Sequence, residues 1–188
     1  MPAAQLNALL RDFVRPLKAD PSDEDHVAVS RLGEMRAFYD AAMAGKYCET
    51  VEISNRGRQE QSEGTDAFIA EFHRLFHKCI SAADKEMSVG ACESFEFLFG
   101  LLRHIDEGNG GVLFFADDGS SLDVGVNWRT ALPVYFNCLA KVSSPEEFAR
   151  TVDEAIEDFV RYDRPWYTDV ARNVASDEQR AALDAPMT

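Results

Sequence analysis

Val89-Gly-Ala-Cys-Glu-Ser-Phe-Glu-Phe-Leu-Phe-Gly-Leu-Leu-Arg-His-Ile105 decides how this chain folds. A surface helix shows one apolar stripe, whereas this run is apolar on nearly every side, which predicts a central helix packed on two faces. Phe95-Glu-Phe-Leu-Phe99 alternates and would suit a strand pair, but the length of the whole run favours helix.

The flanking stretches supply partners for such a helix. Upstream, Phe68, Ile69, Phe72, Phe76, Cys79 and Ile80 recur at helical spacing behind Thr65 or Asp66 as a cap. Ala28, Leu32, Met35, Phe38, Tyr39 and Ala42 predict an earlier helix, capped by Ser22 after a turn at residues 19–24 and closed by a left-handed Gly45. Tyr47, Cys48 and Val51 suggest a short antiparallel return. The Gly45-Lys-Tyr47 pattern occurs once with no 34-residue recurrence, which does not make a tetratricopeptide array. Leu6, Leu9, Leu10, Phe13 and Val14 predict a first helix over 2–15, ending before Pro16. Residues 54–64 have no aliphatic or aromatic side chain and read as a polar loop.

Downstream the period changes from 3.6 to 2. Val112–Ala116 and Leu122, Val124, Val126 and Trp128 flank Asp117-Asp-Gly-Ser120, which predicts a β-hairpin near 112–128. Helices resume at Thr130, with Leu132, Phe136 and Leu139 inward and Pro133 in the first turn. Another starts at Ser144-Pro-Glu-Glu147, a capping box with buried Phe148, Val152, Ile156 and Phe159. Asp163-Arg-Pro165 restarts the chain with Trp166, Val170 and Val174. Ser176-Asp-Glu-Gln179 caps a weak final turn, with fraying expected from about 176 to 188. The expected fold is therefore mainly α and a single domain over 1–188, built of antiparallel helical hairpins, as a bundle or short repeat-like array, with one inserted β-hairpin.

The chain has 188 residues, 46% of them apolar, enough for one core and unlike a disordered or disulfide-stapled chain. Its 33 acids against 19 bases give −14, spread along the chain, which argues against nucleic acid as a partner. No targeting signal is read at the N-terminus, and no run approaches the ~18 apolar residues of a membrane span. Cys48, Cys79, Cys92 and Cys138 each sit among apolar residues and read as reduced core thiols of a cytoplasmic protein; two disulfides in an exported protein are the alternative. Arginine outnumbering lysine, with abundant Ala and Asp, suits a bacterial, GC-rich source.

Few motifs carry chemistry. His73 and His77, four apart, could share a metal, with Asp84 on the same helical face; amphipathic surface histidines explain the pair as well. Residues 117–123 lack the order and closing Glu of a calcium loop, and Gly108–Gly111 does not lead into a helix as a phosphate loop does. No nucleophile signature is present, and no cofactor is expected. Arg161 to Tyr167 gathers three aromatics and two arginines, the residue types of binding hot spots. Arg164, Trp166 and Tyr167, with Trp128, are thus candidate partner-binding residues, although rings filling a helix junction would look alike.

Three functions fit. The first is a non-enzymatic, helical protein-interaction module of a soluble bacterial protein, with self-association possible. The second is an acidic inhibitor or immunity-type protein for a basic partner. The third is a small-molecule or metal-binding enzyme using the His73/His77 face.

Overall fold

The computed structural model describes residues 21–48, 63–84, 88–107 and 120–185. Among these the chain forms seven α-helices: α1 (Pro21–Met43), α2 (Glu63–Asp84), α3 (Ser88–Asp106), α4 (Trp128–Val142), α5 (Pro145–Phe159), α6 (Arg164–Val174) and α7 (Asp177–Asp184). Two 3-10 turns, Ser121–Val124 and Arg161–Asp163, precede α4 and α6. No strand occurs among the described residues, and none of their helices is long and apolar enough to cross a membrane.

The run at 89–105 is one continuous helix, and its strand reading falls away. Helix α3 is the hub, with α1, α2 and α4 all packed on it. Ala91, Phe95, Leu98, Phe99, Leu101 and Leu102 have no exposed surface, consistent with partners on more than one side. Each large side chain buried there stabilises by roughly 1.5–3 kcal/mol.

A row of aromatic rings runs through the core. Phe72 stacks on Phe76 (centroids 5.8 Å), Phe76 meets Phe95 edge-on (5.6 Å), and Phe95 adjoins Phe99 (5.7 Å). Phe99 then touches Tyr135 of α4 (5.0 Å) and Phe159 of α5 (5.2 Å). The row of rings thus links the four consecutive helices α2, α3, α4 and α5. A polar brace ties α1 to α2: Glu34 accepts from Lys78 (2.6 Å) and from Arg74 (3.3 Å), while Arg74 also pairs with Glu71.

Helix ends follow local chemistry, with several boundaries moved. Helix α1 already includes Pro21, so Ser22 lies inside it instead of capping it. At its far end Gly45 is left-handed (φ 80°), with Lys46 N–H donating to Ala41 O and Gly45 N–H to Ala42 O, a Schellman closure. The expected return helix begins as a turn through Tyr47, whose ring is buried against Phe38 and Phe68; Val51 lies outside the described residues. So do the predicted helix 2–15, most of the loop 54–64, Gly108–Gly111 and the strand Val112–Ala116. Helix α2 starts at Glu63, ahead of the expected caps, and buries Thr65 completely.

The second half of the predicted hairpin is not a strand. Ser121–Val124 is a 3-10 turn closed by a capping box between Ser120 and Asp123 and by a left-handed Gly125 (φ 72°). Asp106, at the end of α3, accepts from the Ser121 backbone N–H (2.8 Å) and its hydroxyl (2.7 Å). His73 of α2 donates its Nε2 hydrogen to the Val124 carbonyl (2.7 Å). Side chains here take the backbone groups that a ladder would have used. Trp128 then opens α4 two residues before the expected Thr130, so Pro133 lies in the second turn, without the N–H that would reach back to Arg129.

Only the serine arm of the box at Ser144 is made, from Glu147 N–H to Ser144 Oγ (3.3 Å). The last described segment carries a full box between Ser176 and Gln179. Gln179, 4% exposed, donates to the carbonyls of Ala140 (3.0 Å) and Ser143 (3.2 Å), which seats α7 against the end of α4.

Candidate functional site

Two grooves flank α3, and Glu93 and Glu96 line both. These are the two acids in the apolar run at 89–102, three residues apart and therefore on one side of the helix. That placement was the signal in the sequence, and the overall acidity of the chain hid it.

The first groove, about 400 Å³, lies between α3, the end of α4 and α5. Glu93, Glu96, Glu147 and Glu154 face it together with Arg103 and Arg150, over a floor that includes Cys92, Leu139 and Thr151. Arg150 is engaged by Glu154 (2.7 Å) and Arg103 by Asp158 (2.6 Å), with Arg103 also lying over the Phe159 ring. Glu93 and Glu147 have no ion-pair partner among the described residues. The groove therefore carries a net charge of −2, from four glutamates and two arginines.

Beneath it, Tyr135 points from the core and donates its phenolic hydrogen to Glu96. Burial, and then the Glu96 charge, raise the phenol above its ordinary range, so it stays a donor. Burial also pushes the Cys92 thiol up to about 12, with Glu96 adding to the effect, and burial pushes Cys79 up to about 12. Thiols this far above neutrality are protonated and are poor nucleophiles. Cys138 is buried and Cys48 half-buried.

The second groove, about 780 Å³, lies between α1 and α3. Leu32, Gly33, Arg36 and Tyr39 form one wall, and Glu93, Glu96, Phe97 and Gly100 the other. Tyr39 and Phe97 meet edge-on across it (5.9 Å, 63°).

The residues singled out from sequence fall elsewhere. His73 is half-buried and committed to Val124 through Nε2, which leaves Nδ1 for any other bond, and His77 is exposed. Asp84 ends α2, with its side chain outside those described; among the described residues no three His, Cys, Asp or Glu side chains gather as a metal site. At the aromatic junction Trp128 stacks on Phe159 (4.4 Å, 14°), and Tyr167, 2% exposed, meets Trp166 edge-on (4.6 Å). Trp166 is 37% exposed, with the Arg129 guanidinium 4.0 Å from its ring centre, and Arg164 is held by Asp153 and Glu157. The structure brings Trp166 and Tyr167 together, and it engages Trp128 and Arg164 inside the chain. No protein-family model matches this sequence, and neither does a curated protein or a solved structure.

Proposed function

We propose that this chain is a non-enzymatic helical interaction module, whose docking surface is the acidic groove between α3, α4 and α5 and whose partner is a basic protein in the cytoplasm of a bacterium. The observation that carries this reading is the pair Glu93 and Glu147, exposed on the groove without ionic partners among the described residues. Lysine or arginine side chains of a partner would meet them without breaking an existing pair. Half-exposed Val142 beside them offers an apolar contact, and the −14 charge draws cations from a distance. An acidic inhibitor of a basic protein is the narrower form of the same reading.

The reading is tested with a 12-residue peptide alternating lysine with leucine, against its glutamate counterpart, by fluorescence anisotropy. The lysine peptide is expected to bind, to weaken at least tenfold between 50 and 300 mM salt, and to weaken tenfold again in Glu147→Lys/Glu154→Lys. Equal binding of both peptides, or no effect of the substitutions, overturns it.

A further inference from the structure

We infer that the face formed by α1 and α3 docks a second copy of this chain, in a two-fold dimer that lays α1 of one copy over α3 of the other. This face shares Glu93 and Glu96 with the groove assigned to the basic partner and extends from them toward α1, away from α4 and α5.

The glycines point there first. A glycine in a helix interior is less stable than alanine, so its place there needs a reason. A Cβ built on Gly33 meets nothing within 4 Å, and one on Gly100 meets only a Tyr39 ring carbon at 3.6 Å, an ordinary contact. The described packing of the chain therefore needs neither glycine. Both lie on the α1/α3 groove, one in each wall, where their bare backbones admit a close neighbour.

The charges on this face complement themselves. Arg36 on α1 and Glu93 on α3 are both exposed, on opposite walls, and neither has an ion-pair partner among the described residues. A two-fold axis running along the groove carries each α1 across the other copy's α3, and the inferred dimer pairs Arg36 with Glu93 of the second copy, twice. Leu32, Tyr39 and Phe97, all half-buried, would become the apolar centre between the two charge pairs.

The size is adequate. Helix α3, with 19 residues, is about 28 Å long and α1 is longer. A face two helices wide then covers on the order of 600 Å² in projection, near the ~800 Å² per partner of a standard interface. Two copies at −14 repel over long range, so the association belongs at salt concentrations that screen them.

Sedimentation equilibrium of the full chain at 150 mM salt, from 1 to 200 μM, tests this. The expected result is a reversible dimer of twice the 21.0 kDa chain mass. Gly33→Trp should yield a monomer with unchanged helical circular dichroism and with the melting temperature that the wild-type chain shows when dilution has made it monomeric, because that position is open in the single chain; Gly33→Leu repeats the test should tryptophan perturb folding. Arg36→Glu should weaken dimerisation at least tenfold, and adding Glu93→Arg should restore it. A monomer at 200 μM overturns the inference, as does a dimer indifferent to both Gly33 variants and to Arg36→Glu.

Discussion

Tyr135 reaches from α4 to give its phenolic hydrogen to Glu96 of α3, and so joins the interior of the core to the two surface grooves. One end of the contact is fully buried, and the other is a carboxylate partly open to solvent. A change in the core at this point is therefore felt at the candidate site.

Tyr135→Phe removes the hydroxyl and keeps the ring. Water can take over part of the Glu96 bond, so the expected loss is about 1–2 kcal/mol, read as a fall in melting temperature of roughly 2–4 °C per kcal/mol. An unchanged melting temperature would show that the contact adds nothing.

Stability should fall on the alkaline side. Tyr135, Cys79 and Cys92 are all held above their ordinary ionisation range, chiefly by burial, so folding favours their protonated forms. Their contribution is whole below the pH at which the unfolded groups ionise, about 9 for the thiols and about 10 for the phenol. It is lost as pH rises, for the thiols up to about 12. Urea midpoints measured from pH 8 to 11 should decline, and Cys79→Ala/Cys92→Ala should flatten the decline that begins near 9.

Phe99 sits where the ring contacts converge, touching Phe95, Trp128, Tyr135 and Phe159. Phe99→Ala should cost about 3–5 kcal/mol, among the largest single losses in the chain. Urea unfolding followed by circular dichroism measures it, and a loss below 1 kcal/mol would mean that the rings repack around the gap.

Gln179→Ala should release α7. The carbonyls of Ala140 and Ser143 lose their donor, at a cost of about 1–3 kcal/mol. Faster amide exchange confined to residues 177–184 is the expected signature, and uniform exchange along the chain would contradict local docking.

His73→Ala should cost about 1 kcal/mol through the lost bond to Val124, whether or not metal is present. If a chelator lowers the melting temperature of the wild-type chain but not that of His73→Ala, the histidine is a ligand and the pinning role is secondary.

The helices of this protein are legible in its sequence because apolar spacing, caps and glycine stops are local properties. The two-sided run at 89–105, the stripe of α5, the left-handed Gly45 and the serine caps at 144 and 176 all appear where their residue patterns put them. The segment 120–128 went astray because alternation of Leu122, Val124 and Val126 describes a strand only if another backbone supplies the ladder. Asp106 and His73, 15 and 51 residues away from their partners, supply side-chain bonds to this stretch, and the short polar motif at Ser120 closes it as a turn.

The candidate site shows the same division. Spacing alone put Glu93 and Glu96 on one side of α3, and pairing of charges within the chain could not be seen from it. Which glutamates are neutralised, which glycines stand beside empty space, and which of the arginines and aromatic rings of 161–167 are spent inside the fold depend on contacts between helices far apart in sequence. Local sequence determined where helices form and which faces are apolar, since each residue's preference acts within a turn or two. Only the tertiary structure decided what those faces meet, because burial, pairing and pKa shifts arise when distant segments exclude water together.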